Sequence, residues 1–185
     1  MAQDGSRITE WIRGQVQSAH WVLEATMKDV NEEMAHWAPP GIALPIAAAY
    51  AHYITSEDLV VNGLFRGGVP LFAGSHAGKT GFSELPPNPA TAKDWAGEFA
   101  GWCRRVRIDL AACRAYAQSV YAATDAYLST MPDTELERTM DLSSVRMGTQ
   151  TIGFVLNNAL IGHAFCHCGE IAALKGAQGK RGYPF

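Results

Sequence analysis

The segment GHAFCHCGE, residues 162–170, carries the densest group of chemically active side chains in the sequence. It places two histidines, two cysteines and one glutamate within nine positions of an otherwise apolar stretch. Three interpretations follow from these residue types: a metal site, a thiol redox site, or a helix core that contains polar side chains. The spacing of the residues distinguishes these interpretations.

Helical spacing places the two histidines on one face. At 100° per residue, His163 and His167 lie about 40° apart and one turn along the helix, so both rings can reach one ion. They continue a line of core positions that includes Leu156, Leu160 and Leu174. A metal ion would satisfy one nitrogen of each buried ring. On the H-x-x-x-H spacing alone, a pair of hydrogen-bonded histidines is the commoner explanation.

A third histidine strengthens the metal interpretation. In IAAAYAHYITSEDL, His52 shares a helical stripe with Ala48, Ser56 and Leu59, and the neighbouring alanines permit close helix packing. Helical bundles build metal sites from inward side chains on facing helices. Three histidines with one open coordination position are also a known catalytic arrangement. We therefore predict His52, His163 and His167 as ligands of a divalent metal ion. Three histidines suit Zn, Ni, Cu and Fe, and Zn or Ni is the favoured ion.

Three further residues are weaker candidates for the surroundings of this site. Glu170 lies on the same line as His163 and could orient a histidine, act as a general base or form a structural salt bridge. Cys166 lies about 60° from His163, and its role is left open. His20 points inward from the first helix, either as a fourth ligand or as a hydrogen-bonded core histidine.

The remaining histidines, glutamates and cysteines are predicted to lie outside the site. Glu57 lies about 140° from His52 on the helix, so it is not expected to be a ligand. His36 and His76 are expected to face solvent, with His76 in a loop that could cover the site. The C-H-C arrangement is neither C-x-x-C nor C-x-x-C-H, and it therefore gives no support to a thioredoxin-like or c-type haem site. Cys103, Cys113 and Cys168 are expected to pack in the core.

The composition predicts a single cytoplasmic domain spanning residues 1–185. The chain has 48% apolar residues, a net charge of −3 and scattered basic residues. This balance argues against nucleic-acid and anionic-membrane partners, which require clustered Lys and Arg. No secretory signal or membrane-spanning segment is apparent, so reduced cysteines are expected.

The apolar periodicity predicts an all-α fold, a four-helix bundle with one long crossover. A short hairpin within residues 136–150 is a secondary prediction. The predicted helices are helix 1 at 6–30, helix 2 at 43–65, helix 3 from a capping box at 91–94 to Pro132, and helix 4 at 149–176. No proline interrupts helix 3 before Pro132, but fraying or a bend is expected in a rod of some 40 residues.

The sequence resembles the DinB-like superfamily of bacterial metal-binding helical bundles. The resemblance rests on A-H-Y-x-x-x-E in helix 2, on G-H-x-x-x-H-C-G-E-I-A-A-L-K-G in helix 4, on the W-x-P-P-G turn and on the GYPF tail. It implies an up-down-down-up bundle, frequent homodimers and a divalent metal on His52, His163 and His167. It also implies, for some members, transfer reactions that use a low-molecular-weight thiol as co-substrate.

Three functional hypotheses follow. The first is a metal-dependent enzyme of the thiol S-transferase or hydrolase type acting on an unidentified small molecule. The second is a non-catalytic stress-response or sensory protein in which the ion joins helix 2 to helix 4. The third is a metal-free helical interaction module whose histidines merely pack. The sequence alone leaves the substrate and the reaction open.

Overall fold

A computed structural model describes residues 7–185, which are mostly helical. The elements, in chain order, are α1 Ile8–Met27, α2 Glu32–His36, α3 Ile46–Asp58 with a π-helical continuation Leu59–Phe65, α4 Trp95–Arg105, α5 Leu110–Thr130, β1 Thr139–Asp141, β2 Thr149–Thr151, α6 Ile152–Val155 with a π-helical continuation Leu156–Gly162, and α7 His163–Ala177. The prediction of a predominantly helical fold is thereby confirmed.

The larger of two apolar cores lies among α1, α3, α5 and α7, with further side chains from α2, α4 and the α4–α5 connection. Helices α1 and α3 each pack against both α5 and α7. Close packing is possible at α3 because its first two turns bury a run of alanines, Ala47, Ala48, Ala49 and Ala51. A second core contains the two π-helical segments and the region around the short hairpin. Within the described residues, no helix is long and apolar enough to cross a membrane.

The first helix is shorter than predicted at its C-terminal end. It ends at Met27 rather than at residue 30, and Asn31 serves as the N-cap of α2 by accepting a hydrogen bond from Met34 N. The predicted start at residue 6 lies outside the described residues. The first amides of α1, Ile8 N and Thr9 N, donate to the carboxylate of Asp133 at 3.0 Å each. A residue more than 120 positions away thus caps this helix.

The prediction of one uninterrupted third helix is wrong. Helix α4 ends at Arg105, and α5 begins at Leu110. Between them the chain is extended at Val106, and Ile108 forms an isolated antiparallel bridge with Phe82 of the crossover loop. The capping box is also wrong in detail, because Asp94 is itself the N-cap of α4 and binds Gly97 N.

The hairpin is confirmed, and it shortens the start of the fourth helix. Strands β1 and β2 pair antiparallel, with Met140 opposite Gln150. Because residues 149–151 are extended, helix formation begins at Ile152, where the Thr151 side chain caps α6 through Phe154 N. The helix predicted over 43–65 begins at Ile46, with Pro45 as its N-cap, and reaches Phe65.

Because the chain breaks before α5, Asp109 becomes the N-cap of this helix, and its side chain accepts a hydrogen bond from Ala112 N. This bond should contribute measurably to the stability of the protein. Replacing Asp109 with alanine should lower the free energy of unfolding by about 1 kcal/mol. Asp109→Asn should retain most of the stability, since asparagine caps equally well. Urea denaturation of both variants measures the difference, and equal losses would contradict a capping role.

Candidate metal centre

His52 faces α7 because the opposite side of α3 is occupied by buried acidic residues. Glu57 and Asp58 are fully buried, and they bind side chains from α1 and α5. Glu57 is about 140° from His52 around the helix, so fixing the carboxylate also fixes the imidazole. The predicted exclusion of Glu57 as a ligand agrees with this placement.

Helix α7 supplies the other two rings. The π-helical segment ends at Gly162, directly before His163. The Nε2 atoms of His163 and His167 lie 2.8 Å apart, and their ring centroids are separated by 4.5 Å. The predicted i, i+4 juxtaposition of the two histidines is therefore present.

The three histidines come together as one cluster. The His52 ring centroid lies 5.0 Å from that of His163 and 5.4 Å from that of His167. One nitrogen from each of the three rings falls within 4.8 Å of the others, which is close enough for a shared ion. His167 is buried, and the other two rings are half-buried.

The charge state of the cluster suits metal ligation. Burial, followed by the nearby rings of His163 and His167, lowers the pKa of His52 to about 3. Burial and the proximity of His167 lower the pKa of His163 to about 4. Both imidazoles are therefore neutral at pH 7, and the neutral ring is the form that donates a lone pair to a metal.

The His163–His167 pair comes close to the spacing that two ligands of one divalent ion require. Two nitrogens that share a tetrahedral zinc at about 2.0–2.1 Å lie about 3.3 Å apart. The 2.8 Å separation of the His163 and His167 Nε2 atoms is a direct hydrogen bond instead. A small ring rotation that moves one Nε2 atom by a few tenths of an ångström would give this pair the spacing of two zinc ligands.

Glu170 occupies the position expected for an orienting residue. Its carboxylate accepts a hydrogen bond from His167 Nδ1 at 2.8 Å, and this contact lowers the pKa of the carboxyl group. Bonding through Nδ1 leaves His167 Nε2 directed at His163. Such carboxylate–histidine pairs fix the tautomer and the orientation of a ligating ring.

The other two weak candidates, His20 and Cys166, are not members of the three-histidine group. His20 donates its Nε2–H to the buried Glu57 carboxylate at 2.8 Å and stacks on Tyr121, with ring centroids 3.8 Å apart. It is thus a hydrogen-bonded core histidine rather than a fourth ligand. Cys166 is exposed on α7, whereas Cys103, Cys113 and Cys168 are buried, as predicted for packing residues.

The two histidines expected to face solvent are both half-buried. His36 Nε2 accepts a hydrogen bond from Ile108 N at 3.0 Å, so it supports the break between α4 and α5. The His76 ring packs 5.7 Å from that of Tyr116. Neither histidine belongs to the cluster of three.

A cavity of about 240 Å³ adjoins His52. Ser56 lines it one turn after His52, and Ser56 Oγ lies 3.4 Å from His52 Nδ1. Residues 85–89 of the crossover loop, together with Trp95 and Phe99 of α4, complete the wall. The crossover loop that carries His76 does border the site, as the sequence predicted, but it does so through residues 85–89 rather than through His76. Nothing in a Gly- and Pro-rich sequence indicates which of its residues will lie against a helix.

A larger cavity of about 430 Å³ lies between α1 and α5, with His20 in its wall. It does not include any of the three clustered histidines. Two of the charged residues in its wall, Arg13 and Asp125, form a salt bridge with each other at 2.7 Å. The chemistry therefore points to the smaller cavity.

The comparisons with known proteins agree with the geometry. The family model described as the DinB superfamily matches residues 15–171. Among solved structures, the chain is similar to the "conserved protein of locus from Enterococcus faecalis", with a TM-score of 0.74, 20% sequence identity and coverage of 95% of this chain and 100% of that chain. At this identity the likeness shows a shared fold. No curated protein matches the sequence.

The lowered histidine pKa values predict that the metal-free protein is destabilised by acid. The unfolded chain binds protons on these rings as the pH falls through about 6.5, whereas the folded chain does so only near pH 4 for His163 and near pH 3 for His52. The free energy of unfolding should therefore fall by about 1.4 kcal/mol per pH unit for each ring between about pH 6 and pH 4.

Urea titrations of the chelated protein at several pH values measure this slope. The variant His52→Asn has one titrating ring fewer, so its slope should be smaller by about one such increment. A slope identical to that of the unmodified protein would contradict the assignment of a depressed pKa to His52.

Proposed function

The chain belongs to the DinB superfamily, and from that premise we propose that it binds one divalent metal ion through His52, His163 and His167. The observation that carries the proposal is the convergence of three imidazole nitrogens from α3 and α7 within 4.8 Å. Neutral imidazoles suit Zn and Ni, and we propose one of these as the ion.

We further propose that α1, α3, α5 and the α6–α7 segment form an up-down-down-up four-helix bundle as one domain. The packing of both α1 and α3 against both α5 and α7 supports this arrangement. The connection from Phe65 to Trp95 is long enough to run the length of a helix, as parallel neighbours require.

The proposed activity is that of a metal-dependent enzyme of the thiol S-transferase or hydrolase type. A bound divalent ion would lower the pKa of a water molecule or of a low-molecular-weight thiol, or polarise a substrate carbonyl. Glu170 would hold His167 in its ligating tautomer through the Nδ1 hydrogen bond. The cavity beside His52 would admit a small substrate and exclude bulk water from one side of the cluster.

The alternative is a non-catalytic protein in which the ion joins α3 to α7. The location of the three ligands on only these two helices supports this alternative. The cavity that adjoins His52 favours the enzyme, since a purely structural ion has no need of an adjoining space.

The proposed setting is a cytoplasmic homodimer without nucleic-acid partners. Four free cysteines and a net charge of −3 are consistent with the location and with the exclusion of nucleic acid. Exposed aromatic side chains on α1 and in the C-terminal tail, Trp11, Trp21 and Phe185, offer an apolar surface for self-association.

The metal proposal predicts one Zn or Ni ion per chain. Alanine at position 52, 163 or 167 leaves two ligands. The metal affinity should therefore fall by more than the roughly 10- to 100-fold that is lost when a residue hydrogen-bonded to a ligand is removed. Elemental analysis and calorimetric titration measure the effect. His76→Ala is the matched control and should bind metal normally. Purified protein that takes up neither ion would refute the proposal.

The orienting role of Glu170 predicts a smaller loss. Glu170→Ala removes the acceptor of the His167 Nδ1 hydrogen bond, and metal affinity should fall by about 10- to 100-fold. Glu10→Ala, which removes an exposed carboxylate from α1, should leave the affinity unchanged. Equal affinities for the two variants would show that Glu170 has no such role.

Chelation separates the enzyme from its alternative. For the enzyme, turnover of a thiol with an electrophile, or hydrolysis of an activated ester or amide, should disappear on metal removal and return on reloading. For the structural alternative, metal removal lowers the thermal midpoint without any turnover to lose. The same purified sample serves for both measurements.

A further inference from the structure

The cavity beside His52 has an apolar wall. Trp95 and Phe99 of α4 stack with ring centroids 4.9 Å apart at 12°, and Phe99 meets the His52 ring edge-on at 4.7 Å. The facing wall comes from residues 85–89, the sequence LPPNP, in which three prolines stiffen the chain. The side chains that border His52 on this side are thus rigid and mainly apolar.

The wall is also held in place by buried groups outside it. Phe72, which lines the cavity, donates its backbone N–H to the fully buried Asp58 carboxylate at 2.9 Å. Trp102, on the same helix as Trp95 and Phe99, donates its indole N–H to Glu84 O at 3.0 Å. The crossover loop is thereby fixed next to its proline segment, and the cavity is preformed.

The polar groups in the lining carry no formal charge. Thr55 Oγ1 donates to Ala51 O, and Asn88 Oδ1 accepts from Ala90 N, so both are partly used within their own segments. Ser56 Oγ lies 3.4 Å from His52 Nδ1, so this hydroxyl also has a neighbour within its own helix. Among the described residues that line the cavity, none is an Asp, Glu, Lys or Arg.

We propose that this cavity binds an uncharged aromatic or branched aliphatic group of the substrate, next to the three-histidine cluster. The proposal names a substrate class for the proposed enzyme and therefore rests on that function. The binding itself requires no metal. A volume of about 240 Å³ is below the range usual for drug-sized ligands, so the bound group is about the size of one ring.

A charged group of the same size would bind poorly. An ion in this cavity would lose water and find only uncharged partners: the imidazole of His52, the hydroxyls of Thr55 and Ser56, and the amide of Asn88. Burying an unpaired charge is strongly unfavourable, whereas a neutral ring gains contact with Trp95 and Phe99. In the metal-free protein, the same argument predicts rejection of both anions and cations. A bound divalent ion beside His52 would favour anions over cations, so the selectivity against charge is tested on chelated protein.

Three matched probes test this selectivity: benzyl alcohol, benzoate and benzylamine, which share one ring and differ in charge at pH 7. Each is titrated into chelated and into zinc-loaded protein, and the indole N–H signal of Trp95 is followed by NMR, with Trp95→Phe used to assign it. Benzyl alcohol should bind the chelated protein at least about tenfold more tightly than either ion.

A charge placed in the wall provides a matched variant. Asn88→Asp keeps the oxygen that accepts from Ala90 N and adds a negative charge at the exposed rim. It should strengthen benzylamine binding by about three- to fivefold and weaken benzoate binding. Asn157→Asp, an exposed position outside the cavity lining, should change neither.

The outcomes separate this proposal from the metal proposal. Selective binding of benzyl alcohol with the Asn88→Asp shift supports the cavity assignment, even if the protein takes up no metal. Binding of benzoate or benzylamine to the chelated protein as tight as that of benzyl alcohol overturns it, and so does the absence of any Trp95 shift at millimolar probe. Benzoate that gains affinity only on zinc loading reports the ion and leaves the cavity assignment standing. Stoichiometric zinc uptake alongside such a failure would leave the metal proposal intact.

Discussion

The fully buried carboxylate of Glu57 binds side chains from three helices. It accepts hydrogen bonds from His20 on α1, from Tyr53 on its own helix α3 and from Thr124 on α5, at 2.6–2.8 Å. These donors hold the pKa of Glu57 below its ordinary value although burial alone would raise it. Turning α3 about its axis would break the contacts with His20 and Thr124 and leave the buried charge with Tyr53 alone, so the rotation of α3 between α1 and α5 is fixed.

This single rotation places the opposite face of α3 against α7 and the crossover loop. His52 then meets His163 and His167, and Ser56 enters the wall of the adjoining cavity. The neighbouring Asp58 binds the backbone amides of Leu71 and Phe72, and it thereby directs the loop towards the same face. The cluster and the cavity thus follow from the two consecutive acidic residues that face away from them.

The sequence predicts the features that depend on local periodicity. The i, i+4 relation of His163 and His167 follows from helical geometry, and the inward direction of His52 follows from its place on an apolar stripe. Features set by distant partners were missed. Asp133 caps α1, and His36 binds Ile108 N where the predicted third helix breaks. The crossover loop covers the site as predicted, but through the LPPNP segment rather than through His76. None of these contacts leaves a periodic signal in the sequence.

X-ray absorption spectroscopy of the zinc- or nickel-loaded protein tests the central claim most directly, because it reports the ligand atoms themselves. The account predicts a first shell of nitrogen and oxygen at about 2.0–2.1 Å, with the multiple scattering of three imidazoles and at least one ligand that is not a histidine. A sulfur shell at about 2.3 Å, or scattering from fewer than three imidazoles, would contradict it.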